Sequence, residues 1–316
     1  MRRYKAAVLG YYGFGNLGDE LLLQACINIL GRHGISREEI IVLSNNPMET
    51  SNNFHVDSCN RWRIREVIHA FMMSDSLVLG GGGLFQDVTS VKSCIWYWGI
   101  VRLAKFLGCK IIALGQSFGP LKSKLSLMLT RNALNSCSVI HVRDEPSYNI
   151  AVNSKCRRVI LGSDIVMTLK PETHTRNHDG YMLVNLRPCS GLNDFVRVIM
   201  PHITRTDIKG AALSDDDIEP LKMIMNQKDI VRVKSFNDAQ TLWQGASSAI
   251  GMRLHFGVLS RIFGVPLALM PYDVKVNEFA RQSGVPCIID SYHEPVMPRD
   301  IPEDVYAFDD VCSEIE

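Results

Sequence analysis

The chain has no apolar run close to the ~20 residues that a membrane-spanning helix needs, although 46% of its 316 residues are hydrophobic. Its nine cysteines form no C-x-x-C pair, so we predict no metal site and reduced thiols, as in cytosolic proteins. The formal net charge of +1 gives no basic excess for binding nucleic acid. No G-K-[ST] follows the glycine-rich segments, which excludes a P-loop NTPase. These absences indicate a soluble cytoplasmic protein that does not bind nucleic acid.

Short β-rich apolar runs alternate with amphipathic segments, which is typical of parallel α/β sheets. We predict two Rossmann-like, doubly wound domains at residues 1–170 and 181–316, joined by the polar linker 171–180. Between residues 195 and 215 only G-A-A-L is available as a strand, so the second domain is predicted to be reduced there or to lack residues. The predicted strands are 6–10, 40–43, 76–79, 110–114, 138–142, 181–187, 230–233, 249–250, 267–270 and 287–289. The predicted helices include 19–31, 64–73, 97–107, 125–136 and 193–200.

The segment 251–256 (G-M-R-L-H-F) follows a buried strand and begins a run of apolar residues at helical spacing. Arg253 and His255 therefore belong to a first helical turn, where free backbone N–H groups and the helix dipole favour an anion. Lys275 follows the next predicted strand, so we expect all three side chains at one edge of a sheet. The alternative is a buried histidine and two solvated cations. It is less favoured, because polar groups are otherwise rare in this region.

The loop 13–18 matches G-x-G-x-x-G between a strand and a helix, the context of a dinucleotide-binding fingerprint. A dinucleotide is disfavoured, because Asp19 and Glu20 would repel a pyrophosphate at the helix N-terminus. The second strand also ends in S-N-N instead of the acid that would bind a ribose. We predict instead that Asn16 and Asp19 bind hydroxyl groups of a neutral ligand. The alternative is a glycine turn whose two acids stabilise the helix start.

Four consecutive glycines, 80–83, follow another predicted strand. We expect nothing to pack on them, so that their backbone is open to a ligand. Gln86 and Asp87, just beyond, are candidates for binding hydroxyl groups. The aromatic cluster 96–98 predicts core packing in preference to a platform for a sugar ring.

Arg143 directly follows one predicted strand, and Arg187 ends another. For Arg143, an ordinary pair with a carboxylate is an equal alternative to ligand binding. All these motifs lie at the carboxyl ends of strands, where open α/β sheets bind ligands. We therefore predict one inter-domain cleft with acids and amides on one wall and cations on the other.

Six motifs, in this order between residues 10 and 276, together resemble the polysaccharide pyruvyl transferase family, although none would suffice alone. They are G-x-x-G-x-x-N-x-G-D at 10–19, GGGG-L-F-Q-D at 80–87, G-Q-S-F-G-P at 115–120, R-D-E-x-S at 143–147, G-M-R-L-H at 251–255 and Y-D-x-K-V at 272–276. Within the family, the chain most resembles the Gram-positive branch that modifies the cell-wall polymer anchoring surface-layer proteins. The thin segment 195–215 departs from the family pattern, and its residues are given no role.

The resemblance implies two facing Rossmann-like domains, as in GT-B glycosyltransferases. It also implies transfer of pyruvyl from phosphoenolpyruvate onto two hydroxyls of one sugar as a ketal, without a cofactor. The implied acceptor is N-acetylmannosamine in a lipid-linked saccharide precursor. Such an acceptor predicts contact with the inner face of the cell membrane. Two basic clusters are available for that contact, although such clusters are more often solvated faces: Arg2, Arg3 and Lys5, or Arg61, Arg63 and Arg65.

The residues fit these roles. Phosphoenolpyruvate carries nearly three negative charges, so its site needs several cations, and arginine grips phosphate or carboxylate in two places. The expected donor-binding residues are Arg143, Arg253 and Lys275, with Arg187 in reserve. His255 is expected to deliver a proton to the enol carbon, and to be protonated mainly in the donor complex. Asn16, Asp19 or Asp87 would handle the attacking hydroxyl, and Gln86 would be a further acceptor contact.

Two other functions remain open on the sequence. A nucleotide-sugar glycosyltransferase of the same architecture would need a ribose-binding acid in the second domain, and Glu278 is a poorly placed candidate. A non-catalytic sugar-binding protein is disfavoured, because Arg143, Arg253, His255 and Lys275 are present together.

Overall fold

The structure of the protein is a computed structural model. The described residues are 3–88, 90–171, 179–204, 207–299 and 305–315, without the side chains of 305–307. Their contacts divide them into two units. The first unit holds the described residues of Met1–Phe14, Leu22–Thr168 and Glu303–Glu316. The second unit holds those of Gly15–Leu21 and Leu169–Pro302.

The first unit contains one parallel sheet of eight described strands. They are β1 (Tyr4–Leu9), β2 (Ile40–Ser44), β3 (Asp57–Asn60), β4 (Ser74–Leu79), β5 (Gly82–Phe85), β6 (Lys110–Phe118), β7 (Val139–Val142) and β8 (Val159–Leu161). Their order is β3-β2-β1-β4-β6-β7-β8, with β5 beside β6. The winding reverses between β1 and β4, and such a switch point is where open sheets form ligand crevices.

The second unit contains a smaller parallel sheet with the order β11-β10-β9-β12-β13. Its strands are β9 (Tyr181–Asn185), β10 (Ile208–Ala212), β11 (Ile230–Arg232), β12 (Ala246–Gly251) and β13 (Leu267–Leu269). The winding reverses between β9 and β12. The expectation of two doubly wound α/β domains is therefore confirmed.

Helices connect most of the consecutive strands, as parallel pairing requires, whereas β4 and β5 are joined directly and do not pair with each other. They are α1 (Leu17–Arg32), α2 (Pro47–Phe54), α3 (Ile64–Met72), α4 (Val91–Phe106), α5 (Lys124–Leu134), α6 (Glu145–Asn153), α7 (Leu192–Ile203), α8 (Ile218–Lys222), α9 (Phe236–Gln244), α10 (Leu254–Ile262), α11 (Val274–Ser283) and α12 (Val305–Cys312). Asp19 and Glu20 lie in the first turn of α1 and Arg32 in its last, so the charges match the helix dipole.

The central strands each contain a buried apolar run, because helices cover both faces of a parallel sheet. In β1 the four residues from Ala6 to Leu9 are fully buried, and Val8 pairs in register with Val42 and Val78. In the second unit, Leu183 and Val184 of β9 and Ile250 of β12 are equally buried. These runs explain why the sheet centres were predictable.

Two predicted features of the second unit differ from the structure. Residues 287–289 form no strand; only Cys287 makes an isolated parallel bridge to Leu269. The thin region 195–215 nevertheless supplies α7 and the five-residue strand β10, whose Gly210 pairs with Val184. A short strand suffices there because β10 is held between β9 and β11.

The two units also divide the chain differently from the predicted domain boundaries. Residues Gly15–Leu21 belong to the second unit, and the described part of Glu303–Glu316, which includes α12, belongs to the first. The predicted linker 171–180 lies largely outside the described residues, which resume at Asp179.

The glycine run 80–83 is enclosed by side chains, contrary to the expectation that nothing packs on it. A Cβ on Gly80 would overlap the hydroxyl of buried Tyr12, which donates a hydrogen bond of 2.6 Å to the Gly80 carbonyl oxygen. A Cβ on Gly81, whose φ is +98°, would lie 2.9 Å from Leu22 Cδ2. Gly82 already begins β5. The run therefore permits close packing inside the first unit.

The two basic clusters expected at a membrane have different environments. Arg3 is exposed and pairs with Asp57 at 2.6 Å, whereas Arg2 lies outside the described residues. Arg61 is only 3% exposed, so it cannot face a lipid surface, while Arg63 and Arg65 are exposed. Among the helices of the described ranges, none is both long and apolar enough to cross a bilayer.

Candidate functional site

The second sheet brings three chemically active segments to one edge. Strands β9, β12 and β13 are neighbours, and Gly251 pairs in register with both Asn185 and Leu269. The strands therefore end level with one another. Arg187 follows β9, Arg253 follows β12, and the segment leading to Lys275 follows β13. The predicted grouping of cations at a carboxyl edge is present within this unit.

Arg253 occupies the N-cap position of α10 and is held by a buried carboxylate. Its Nε lies 2.8 Å from both oxygens of Asp217, and its Nη2 lies 2.7 Å from Asp217 Oδ1. The Arg253 backbone N–H donates to Asn185 Oδ1 at 3.0 Å. Asp217 is completely buried and also accepts the backbone N–H of Leu213 at 2.9 Å. This network fixes the direction of the Arg253 guanidinium.

Arg187 is a half-buried cation held by an aromatic ring. Its Nη1 donates to the Tyr272 hydroxyl at 2.6 Å, and its guanidinium carbon lies 4.6 Å from the centre of the same ring. Burial raises the pKa of Tyr272, and the charge of Arg187 opposes part of that rise. Within the described ranges Arg187 joins no ion pair, and its Nε has no hydrogen-bond partner. Its charge is therefore the least neutralised of this group's arginines.

His255 lies in the first turn of α10, as predicted, and packs against a glycine of the segment 15–21. A Cβ placed on Gly18 would overlap His255 Nδ1 and lie 2.8 Å from its Cγ. Gly18 is itself buried. The imidazole is thus positioned by the only residue type that leaves room for it.

The segment that carries Gly18 is tied to the second unit by backbone contacts. The Leu17 N–H donates to the Leu213 carbonyl oxygen at 2.9 Å, and Arg232 Nη2 donates to the Gly15 carbonyl oxygen at 2.5 Å. In the same segment, Asn16 Nδ2 donates to Asp19 Oδ2 at 2.5 Å. Both predicted hydroxyl-binding side chains are half-buried. They belong to the unit that carries His255.

Lys275 lies in the first turn of α11 and is half-buried. Its backbone N–H donates to Oδ1 of the N-cap residue Asp273 at 2.9 Å. The cap fixes the start of α11, and with it the position from which the Lys275 side chain extends.

Arg143 has a different environment in the first unit. It follows β7 and pairs with Asp164 at 2.5 Å, and both side chains are only 6% exposed. The neighbouring Asp144 caps α6 and accepts from the Ser117 hydroxyl. The predicted alternative of an arginine–carboxylate pair is therefore realised, with Asp164 as the partner.

Gln86 and Asp87 also lie in the first unit, and their polar groups bond to the local backbone. Asp87 accepts the N–H groups of Lys122 and Ser123 at 2.8 and 2.7 Å, one on each oxygen. These bonds lower the pKa of Asp87 against the opposing effect of burial, the largest single influence. Gln86 Oε1 accepts the Val88 N–H at 2.9 Å. Both residues hold loops beside α5 and β5.

Three residues that position the side chains of this site could not be identified from the sequence. Asp217 was not singled out, because it lies far along the chain from Arg253. In the sequence, Tyr272 is recognisable only as part of a motif, and Gly18 only as part of a glycine turn. The Y-D pair before Lys275 was the one signal available, because a tyrosine at a strand end can fix a neighbouring cation.

Substitution of Gly18 by alanine is expected to lower kcat for the pyruvyl transfer that the sequence predicts by about 10- to 100-fold. The reason is that the added methyl group would displace the imidazole of His255. Gly31→Ala is the matched control: Gly31 lies in the same helix, and a Cβ there has no atom within 4 Å. Steady-state kinetics and circular dichroism of both variants provide the measurement. Equal kcat values for the two variants would contradict the positioning role of Gly18.

The described residues contain no group of three or more histidine, cysteine, aspartate or glutamate side chains placed to hold a metal ion. None of the nine cysteines, all within the described ranges, forms a disulfide bond, and burial raises the pKa of the fully buried Cys26.

A family model described as polysaccharide pyruvyl transferase matches residues 16–274 of the chain. None of the curated proteins compared with it matches significantly. The matched residues include the ends of all the strands described in the second unit and most of the residues of the first unit.

Solved structures similar to the chain share its two-domain fold at low identity. UDP-GlcNAc 2-epimerase from Methanocaldococcus jannaschii is 13% identical with a TM-score of 0.61, covering 90% of this chain and 89% of that one. S. aureus MnaA with UDP is 10% identical with a TM-score of 0.59, covering 92% and 84%. Anabaena HepE with UDP and glucose is 9% identical with a TM-score of 0.56, covering 98% and 89%. These likenesses establish the fold alone.

Proposed function

Because the chain belongs to the polysaccharide pyruvyl transferase family, we propose that it transfers pyruvyl from phosphoenolpyruvate onto two hydroxyls of one sugar, forming a ketal and releasing phosphate. The proposed acceptor is N-acetylmannosamine of a lipid-linked secondary cell-wall polymer precursor. The reaction then takes place in the cytoplasm, at the inner face of the membrane. It would serve the anchoring of surface-layer proteins.

The observation that carries this proposal is that the neighbouring strands β9, β12 and β13 of the second unit end level with one another. This arrangement provides Arg187, Arg253, Lys275 and His255 within one sheet edge. A donor with nearly three negative charges requires several fixed cations. Arg187 suits the donor best, because it joins no ion pair among the described residues. Arg253 contributes a guanidinium whose direction Asp217 fixes.

In the proposed reaction, His255 gives its proton to the methylene carbon of phosphoenolpyruvate, which becomes a methyl group. Positive charge develops on the neighbouring carbon, and a sugar hydroxyl attacks it and loses its proton. The carbon–oxygen bond to phosphate then breaks, and the leaving phosphate is neutralised mainly by Arg187 and Lys275, because Asp217 already balances the charge of Arg253. The second hydroxyl closes the ketal ring and loses its proton. Of the two protons lost by the hydroxyls, one restores the proton that His255 gave and the other leaves with the phosphate, so the scheme balances and involves no cofactor.

The hydroxyl-handling role is proposed for Asn16 and Asp19. Both lie in the same unit as His255, on the segment that packs against it. Asp87, the other candidate, already accepts a backbone N–H on each of its oxygens. Arg143 is proposed as a further contact of the donor. Because the donor would have to replace Asp164 as its partner, Arg143 is expected to contribute less to donor binding than Arg187.

The direct test is incubation of the protein with phosphoenolpyruvate and N-acetylmannosamine-containing acceptors, followed by mass spectrometry. A pyruvyl ketal adds the mass of pyruvate minus water to the acceptor, with one phosphate released per adduct. Absence of any adduct across a panel of hexosamine and hexose acceptors would refute the proposal.

A nucleotide-sugar glycosyltransferase is the second candidate, favoured only by the fold shared with structures that contain UDP. A thermal-shift comparison separates the two functions, since a ligand of the native state raises Tm. Phosphoenolpyruvate is expected to stabilise the protein, and UDP is not. Stabilisation by UDP alone would favour the glycosyltransferase.

A further inference from the structure

The first unit carries a group of aromatic rings that the proposed reaction does not use. Tyr11 and Phe14 follow β1, Trp62 follows β3, and Trp96 lies near the start of α4. We propose that these four rings form a saccharide-binding surface, called here the aromatic surface, which holds a pyranose ring of the acceptor. This inference rests on the proposed function for the identity of its ligand.

Arg61 holds the rings in place from the protein interior. It is 3% exposed, and its guanidinium carbon lies 5.1 Å from the ring centre of Trp62 and 4.3 Å from that of Trp96. The same carbon lies 5.4 Å from the ring centre of Phe14. Its Nη1 donates to the Gly10 carbonyl oxygen at 2.6 Å. A cation enclosed by ring faces is attracted to each of them, so Arg61 fixes the cluster and does not itself face a ligand.

The outward rings are exposed and yet fixed in orientation. Trp62 is 56% exposed, and its indole N–H donates to Asn45 Oδ1 at 2.8 Å. Tyr11 is 45% exposed and stacks on Phe14 with ring centres 4.0 Å apart and planes inclined by 8°. Ordering of these side chains therefore precedes binding, which lowers the entropy lost when a ligand stacks on them.

The polar groups beside the rings suit a neutral ligand with hydroxyl edges. Asn45 follows β2 and uses one lone pair for Trp62 and one N–H for the Gly13 carbonyl oxygen. Its amide retains a second lone pair and a second N–H. A pyranose offers a C–H face to an aromatic ring and hydroxyls to an adjacent amide. Binding sites for such ligands combine aromatic walls with a few placed polar groups.

The position in the sheet agrees with this assignment. Strands β1, β2 and β3 are neighbours, and their carboxyl ends supply Tyr11, Asn45 and Trp62. Ligands of open α/β sheets bind at this edge. The sequence favoured core packing for residues 96–98, and Tyr97 is indeed buried, whereas Trp96 is only half-buried and contacts Trp62 at a centre distance of 5.3 Å.

The test compares Trp62→Ala and Tyr11→Ala with Phe106→Ala, a control ring in the same unit that is 86% exposed. Saturation-transfer NMR without phosphoenolpyruvate uses the methyl glycosides of N-acetylmannosamine, N-acetylglucosamine and glucose, with uridine as the competing probe. We expect transfer to the C–H protons of at least one glycoside in the native protein and in Phe106→Ala, and its loss in Trp62→Ala and Tyr11→Ala.

Turnover gives the second readout. Trp62→Ala is expected to raise the KM for the acceptor roughly tenfold, the effect of about one stacking contact, with the KM for phosphoenolpyruvate unchanged. An unchanged KM for the acceptor would refute the saccharide-binding role of the aromatic surface. Saturation transfer to uridine and to no glycoside would refute it as well. Neither result would contradict the proposed pyruvyl transfer. Trp62-dependent glycoside binding without any phosphoenolpyruvate turnover overturns the proposed function and leaves the surface as a carbohydrate site.

Discussion

Substitution of His255 by alanine is expected to lower kcat for phosphate release by about 10²- to 10⁴-fold, the usual contribution of a positioned proton donor. Binding of phosphoenolpyruvate is expected to change much less, because Arg187 and Lys275 supply most of the attraction for the anion and Arg253 remains in place beside them. The reason is the location of His255 in the first turn of α10, beside Arg253 and against Gly18. In the proposed reaction, the imidazole at this position gives its proton to the donor.

The measurement pairs a continuous phosphate assay with a thermal shift by phosphoenolpyruvate. His293→Ala serves as the control, since His293 is an exposed histidine of the same unit. The control is expected to retain full kcat. Unchanged turnover in His255→Ala would refute the role of His255. Loss of both turnover and donor-induced stabilisation would assign His255 to donor binding instead.

Substitution of Asp217 by alanine is expected to lower the free energy of unfolding by about 3–5 kcal/mol, the usual effect of removing one partner of a buried ion pair. Asp217 is completely buried, and its carboxylate lies against the Arg253 guanidinium at 2.7–2.8 Å. Its removal leaves the Arg253 charge without compensation. It also removes the acceptor for the Leu213 backbone N–H.

Asp215 provides a matched control, because it lies in the same turn, Asp215–Asp217, and also faces an arginine. Its side chain is 86% exposed in its pair with Arg232, so Asp215→Ala is expected to change stability by no more than about 1 kcal/mol. Urea unfolding of both variants gives the comparison. Equal losses in the two variants would show that the Asp217–Arg253 pair does not organise this unit.

The strand ends of the candidate site were predictable because they follow from chain pattern alone. A buried apolar run ending at Gly251, followed by helical spacing, predicted the position of Arg253 and His255, and the structure places them at the start of α10. The prediction succeeded because the carboxyl ends of parallel strands share one edge of a sheet. Lys275 followed from the same rule and lies in the first turn of α11.

Polar or short elements were not predictable in the same way. The strand β3 has the sequence D-S-C-N and becomes a strand only through its pairing with β2. The glycine run 80–83 was expected to be open, yet Tyr12 and Leu22 enclose it. Neither neighbour is adjacent in sequence, so local composition carried no signal of the packing.

The sequence by itself determined the class of fold, the family and the strand-end positions of the cations, since these depend on local periodicity and on motifs in a fixed order. Only the tertiary structure decided which charges are already satisfied. It pairs Arg143 with Asp164 and Arg253 with Asp217, buries Arg61 among aromatic rings, and leaves Arg187 against Tyr272. The physical reason is that the partners of Arg143, Arg253 and Arg187 lie 21, 36 and 85 residues away along the chain, and only folding brings them within hydrogen-bonding distance.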